Sequence, residues 1–277
     1  MTVRIVTDSA CDLRGDEVSE LGIEVVPLSI RFGSREFVDR EELSVEEFYR
    51  RLAESDELPE TAAPSPGRFE QAFARQLDAG ADSVVCINMS SALSATMQSA
   101  RTAASAVDAD IRVIDSRTIT AGLGSIALAA AQMGADGAGL DEILAAIESM
   151  SRRTRVYGTL DTLDNLKKGG RIGGAQAMLG SMLSIKPLLD ISSGEVEEAG
   201  RQRTRKKALG WLRDTLAAAL PVDNLAVMHG EAPDLDVFLE MLEPLVDRTT
   251  IRIEKIGAVI GTHGGPRVMG LAFQLPR

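Results

Sequence analysis

The 277 residues carry 30 Lys and Arg against 41 Asp and Glu, a formal net charge of -11, with 44% hydrophobic and only 4% aromatic residues. That balance excludes a basic phosphate-tracking surface and a base-stacking platform, and with them nucleic-acid binding. The length suits two globular domains or one large one, and Cys11 and Cys86, far apart and outside any CxxC pair, suit a reduced, cytoplasmic protein without a structural zinc site.

The chain opens directly on the strand-like "VRIVT", with no charged-then-apolar leader before it. β-Branched runs at 3–7, 23–30, 83–88 and 111–115 alternate with helical patterns at 12–21, 44–54, 67–79, 96–107 and 119–133. Strand, helix, strand in that order predicts a mainly parallel sheet with crossover helices. "IRFGSREFV" reads as a hairpin inserted in this scheme. The run from Ile119 to Ala135 is rich in small residues, holds three glycines and falls short of the ~20 strongly apolar residues of a membrane span. It predicts a buried helix, with no stable membrane insertion.

A helix at 139–152 precedes "TRVYGTL", a short helix and the loop "KKGGRIGG". "KPLLDISSGEVEEAG" then reads as a strand pair turning at Ser193-Gly194. A long helix at 204–219, the strand "NLAVMH", a helix at 234–246 and the strand "TIRIEKIG" follow. Hairpins mixed with crossovers predict a second α/β domain with a mixed sheet, so the expected division is 1–153 and 154–277. The closing "AVIGTHGGPRVMGLAF" reads as a strand, a tight turn around Gly264, Gly265 and Pro266, and a last strand, with His263 at the rim.

In open α/β sheets ligands bind beyond the carboxyl ends of the strands. "TDSACDL" places Asp8 and Ser9 there, but an aspartyl phosphotransferase needs a second carboxylate two residues on, where this chain has Ala10. Asp12 is expected to cap the following helix instead. "ETAAPSPGRF" offers the Thr61 hydroxyl on a proline-stiffened loop, an ordinary loop by itself. "NMSSALSATMQSA" sets Ser90, Ser91, Ser94 and Thr96 between a strand and a helix, where hydroxyls and free amides capture an anion. No GxSxG elbow surrounds a serine, so hydrolase chemistry has little support. "RQRTRKK" and "KKGGRIGG" gather cations, the first at a helix start where the macrodipole disfavours them. A solvated face is the default for such runs, with a phosphate-bearing ligand or an acidic partner as the alternative.

Together "VTDSACDL", "TAAPSP", "SSALSATMQSA", "LKKGGRI", "IKPLL" with "GEV", "RTRKKAL" and "GTHGGPRVMG" resemble the DegV family of bacterial lipid-binding proteins, in family order over residues 3 to 270. The resemblance implies two α/β domains clasping one long-chain fatty acid at their interface, with no cofactor beyond that bound ligand. It also implies a separate ATP-binding fatty acid kinase subunit as partner, which phosphorylates the carboxylate. The chain is then a lipid-binding subunit more than a catalyst on its own, the alternatives being a stand-alone phosphotransferase or hydrolase, or a small-molecule-binding regulator. By matching position, Thr61, Ser94 and His263 would surround the carboxylate with Ser91 and Thr96 nearby, while Arg171 and Arg203 would sit toward the phosphorylated head group or the kinase subunit. The chain departs from the family pattern at Ala62-Ala63, where Ser-Gln is usual, and at Ala95 and Met97, where Gly and Tyr flank the threonine.

Overall fold

A computed structural model describes residues 2–55, 57–180 and 185–277. The chain runs β1 (Val3–Asp8), a 3-10 turn, α1 (Gly15–Glu20), β2 (Glu24–Val26), β3 (Ser29–Phe32), β4 (Arg35–Val38), α2 (Val45–Glu54), β5 (Glu60–Ala62), α3 (Pro66–Asp78), β6 (Ser83–Asn88), α4 (Thr96–Ala106), β7 (Asp110–Asp115), α5 (Thr120–Ala135) and α6 (Leu140–Arg153). It continues through β8 (Thr154–Thr159), α7 (Asp164–Lys168), a 3-10 segment, β9 (Lys186–Asp190), β10 (Glu197–Gln202), α8 (Arg205–Ala219), β11 (Asp223–His229), α9 (Leu235–Leu242), β12 (Arg252–Lys255), α10 (Ala258–Gly264) and β13 (Met269–Gln274).

The expected α/β architecture is present. One sheet has the order β2-β1-β6-β7, all parallel. A second is mixed, β10-β9-β8-β13-β11-β12, antiparallel except for the β11–β12 pair, and a small third has the order β4-β3-β5. The strand expected over 23–30 is two strands in different sheets. Pro27 has no amide hydrogen for a ladder, so the chain turns there. β2 stays beside β1, while β3 pairs with β4 in the expected hairpin, with Gly33 at φ +57°. β5, expected as loop, adds to the other edge of β3 and sets Thr61 opposite Ile30.

Helix α5 lies between the two sheets, and its glycines let it. A Cβ on Gly124 would sit 2.6 Å from the Cys11 carbonyl and one on Gly134 2.7 Å from that of Val3, both on the parallel-sheet side. A Cβ on Gly122 would sit 3.1 Å from Val156 of the mixed sheet. The largest core cluster therefore spans both sheets, joining Ile5, Ile87, Leu123, Val156, Met228 and Ala272. Smaller clusters lie behind each sheet, under α8 and α9 on one side and under α3 and α4 on the other. Among the described residues no helix is long and apolar enough to cross a membrane.

The first strand expected in the closing segment is helix α10. A short run such as "AVIG" does not separate strand from buried helix by periodicity, and packing decides it. Gly261 brings α10 so close to α2 that a Cβ there would meet Phe48 at 2.7 Å and the Tyr49 hydroxyl at 2.8 Å.

Asp12 does not cap the helix after it. α1 begins at Gly15 and is closed by Arg14 and Glu17, whose carboxylate accepts the Arg14 amide. Asp12, in the left-handed region at φ 53°, instead accepts the amide of Gly257 at the start of α10 at 3.0 Å and the guanidinium of Arg40 at 3.0 Å. Replacing Asp12 with alanine orphans the buried Gly257 amide and removes a partner of the partly exposed Arg40, so the expected loss is about 2 kcal/mol of unfolding free energy. Denaturant unfolding curves of the variant and the parent measure it.

Candidate ligand-binding site

Between the sheets lies a cavity of about 90 Å³. Both halves of the chain wall it with aliphatic side chains, among them Leu28 and Ile119 from one and Val156, Leu189, Ile191 and Val259 from the other. Polar groups gather on one side: Thr61 from β5, Ser94 from the loop before α4, Arg171 from the loop after α7, and His263 from the last turn of α10.

Each of these is held by its neighbours. Asp8 organises the loop that carries Ser94. Its carboxylate accepts the amides of Ala10 at 3.1 Å and Met89 at 2.8 Å and the side-chain amide of Asn88 at 3.2 Å. Complete burial outweighs these donors and raises its pKa to about 6. With its oxygens committed to donors, Asp8 acts as a clasp. Ser94 and Thr96 hydroxyls lie 2.8 Å apart, and Ser94 Oγ also accepts the Thr96 amide at the start of α4. Among the described residues the Arg171 guanidinium donates to backbone carbonyls alone, Leu93 at 3.1 Å and Gly169 at 2.8 Å, and pairs with no carboxylate.

His263 is the pivot. Its Nε2 lies 3.1 Å from Thr61 Oγ1, joining residues 202 positions apart in the chain. Its Nδ1 is buried with no hydrogen-bond partner, and its ring packs on Gly169, where any Cβ would collide with it. Asn165, which donates to the Thr262 carbonyl at 3.0 Å, steadies the end of α10 from the same side. Burial first, then the Arg171 charge, lowers the His263 pKa to about 4. Its ordinary pKa of 6.5 predicts titration near neutrality; in the folded protein the imidazole is neutral there.

Four of the seven residues singled out from the sequence line the cavity together: Thr61, Ser94, Arg171 and His263. The other three do not. Ser91 is exposed in the groove outside, where it donates to Asp115. Thr96 is fully buried behind Ser94. Arg203 is exposed on the link between β10 and α8, outside the lining. Sequence reasoning missed Gly169, although its Gly-Gly pair marked a close approach, and Thr120 and Met228, which carry no local signal.

An aliphatic slot with hydroxyls, an imidazole and a guanidinium on one side is built for an amphipathic anion. The comparisons with known proteins agree with that architecture. The family model described as "Uncharacterised protein, DegV family" matches residues 2–275. This chain belongs to the DegV family. A DegV domain-containing protein of Streptomyces coelicolor is 36% identical over 97% of both chains, and one of Listeria innocua 33% identical over 99% of this chain and 98% of its own. A DegV family protein from Thermus thermophilus, described as fatty acid binding, superposes with a TM-score of 0.92 at 33% identity over 100% of both chains. DegV from Bacillus subtilis, described as a fatty acid binding protein, gives 0.87 at 30%, again over 100% of each.

The histidine makes a checkable statement. A group whose pKa is lower folded than unfolded binds more protons when unfolded, so His263 subtracts stability as pH falls from 6.5 toward about 4. Replacing His263 with glutamine is expected to flatten unfolding free energy over that window. The His263 ring resonances followed by NMR should stay those of the neutral form down to about pH 5. A midpoint at the ordinary value contradicts the burial argument.

Proposed function

We propose that this protein holds a long-chain fatty acid in the slot between its sheets and presents the carboxylate to a separate ATP-binding kinase subunit in the cytoplasm, which converts it to an acyl phosphate. The observation that carries the reading is the grouping of Thr61, Ser94, Arg171 and His263 in a cavity whose remaining lining, Thr120 and Tyr157 apart, is apolar. The fatty-acid-binding descriptions of the DegV proteins from Thermus thermophilus and Bacillus subtilis support it.

The energetics divide the work between the two ends. At ~0.8 kcal/mol per buried methylene, a long acyl chain supplies on the order of 10 kcal/mol before association costs, so the tail provides affinity. A carboxylate taken out of water without donors forfeits several kcal/mol, and the hydroxyls prevent that. Placing the imidazole hydrogen on Nε2 leaves only a lone pair, not a donor, unpaired at Nδ1. Nε2 then donates to Thr61 Oγ1, which turns its own hydrogen to the carboxylate. Ser94 offers a second O–H and Arg171 a cation that no carboxylate among the described residues pairs with. These residues bind and orient. Transfer itself joins a carboxylate oxygen to the terminal phosphorus of ATP and releases ADP, and ATP comes with the partner.

Protein purified as produced, then denatured and extracted, is expected to release fatty acid in nearly equimolar amount by mass spectrometry. Finding none, together with no uptake of added palmitate or oleate, removes the reading.

Ser94→Ala is expected to lower phosphorylation of the bound acid by a matched kinase subunit on the order of tenfold with little change in binding, since head-group contacts set the position of the attacking oxygen. Arg203→Ala should do the same through docking, with a steeper loss at high salt. Lys207→Ala, on an exposed helix face, is the control. Wild-type turnover in both variants at low and high salt contradicts the assignment of Ser94 and Arg203.

A further inference from the structure

We infer that the contact between Thr120 and Met228 is the end wall of the cavity and sets the longest acyl chain that it accepts. The inference rests on the fatty-acid reading above and concerns two lining residues outside the head-group set.

Strand register locates the wall. Gly264, next to His263, packs on Val268, where a Cβ on the glycine would lie 3.4 Å from Val268 Cγ2. Two residues along from Val268, Gly270 pairs with Met228 of β11. A Cβ on Gly270 would stand 3.0 Å from Met228 Cε and 2.8 Å from the Tyr157 carbonyl, so the missing side chain makes the room that Met228 fills. Met228 in turn meets Thr120, whose hydroxyl lies 2.7 Å from Met228 Sδ. Both residues line the cavity and both are 2% exposed.

A second hollow lies along the same two elements. A surface groove is lined by Ser125, Leu128 and Ala129 of α5 and by Asn224 and Leu225 at the other end of β11, and it shares no lining residue with the cavity. α5 leads from Thr120 in the cavity to Leu128 in the groove, and β11 leads from Leu225 in the groove to Met228 in the cavity. Between them the strands present only the small pair Ala226 and Ala272, directly opposed. Met228 is the bulky side chain that β11 adds at the cavity end, and α5 adds the fully buried Leu123 and Ile126 between Thr120 and Leu128.

Two features make the obstacle definite. A methionine side chain is unbranched and adapts to its surroundings, so alone it gives a soft wall; the close contact of its sulfur with the Thr120 hydroxyl, which also lies 2.8 Å from the Ile119 carbonyl, restricts it. Thr120 itself is held at φ +51°, a conformation that a β-branched residue rarely adopts and that persists only where surrounding structure imposes it. The strain sits at the first residue of α5, the residue that touches Met228.

The test loads purified protein, delipidated and intact, with a graded mixture of myristate, palmitate, stearate and arachidate, and reads the bound species by mass spectrometry. Met228→Ala removes three heavy atoms from the path and is expected to move the upper limit of bound chain length by about two carbons. Thr120→Gly relieves the backbone and frees the thioether, so it is expected to broaden the distribution, and Thr120→Ser, which keeps a hydroxyl, is expected to narrow it again. The Thr120 pair remains informative if Met228→Ala does not fold. Wild-type protein that binds a restricted set of acids while Met228→Ala and Thr120→Gly bind the same set overturns the end wall and leaves the fatty-acid reading intact. Wild-type protein that takes up none of the acids overturns that reading and the wall with it.

Discussion

The structure depends on α5 touching strands on both of its sides at once. A helix with side chains all round keeps its neighbours 8–10 Å from its axis, and Gly124 and Gly134 remove that spacer toward the parallel sheet while Gly122 removes it toward β8. The two sheets can then share one core around α5. Their facing edges leave a slot, walled by strands of the mixed sheet on one side and by the loops that follow the parallel strands on the other. Because loop amides and hydroxyls collect at strand ends, the slot acquires its polar side from the same arrangement that creates it.

That polar side is a problem of desolvation before it is one of chemistry. His263 is withdrawn from water far enough that its pKa falls to about 4, and Asp8 far enough that its pKa rises to about 6, although their roles differ. Asp8 has donors on three sides and acts as a clasp on the loop carrying Ser94. His263 has one partner and an unpaired Nδ1. An imidazole held neutral and half satisfied costs stability, and such a group persists in a fold where another selective demand keeps it. A head group that needs a neutral donor beside it supplies one.

Much of the scaffold was legible because the relevant interactions are local. The β-branched runs of β1, β6 and β7, the Gly33 hairpin and the strand pair around Ser193-Gly194 are where period and turn chemistry place them. What failed depends on partners distant in sequence. α10 looks like a strand until Gly261 is seen against Phe48 and Tyr49, and Asp12 looks like a cap for its own helix until Gly257 is seen above it. The site divides in the same way. The hydroxyl cluster before α4 marked a polar loop, yet spacing did not tell which hydroxyl faces the cavity: Ser94 does, while Ser91 turns to Asp115 and Thr96 supports from behind. The Thr61–His263 contact joined the reading through family resemblance, since neither short segment alone pointed to the other.

Arg171 links the inside of the molecule to the outside. It lines both the cavity and the groove that holds Ser91 and Glu195, and its hydrogen bonds go to carbonyls of Leu93 and Gly169, one from each half of the chain. A guanidinium whose partners among the described residues are neutral carbonyls keeps its full charge available to an anion, and charge-assisted contacts strengthen as the anion gains charge. The same charge helps to hold His263 neutral. Raising the charge of a head group at this position, on the proposed reading by phosphorylation, therefore shifts its best partner from the hydroxyls inside toward Arg171 and the groove. On that reading the polar end is graded outward, from neutral donors suited to a carboxylate to a cation better matched to a more highly charged group.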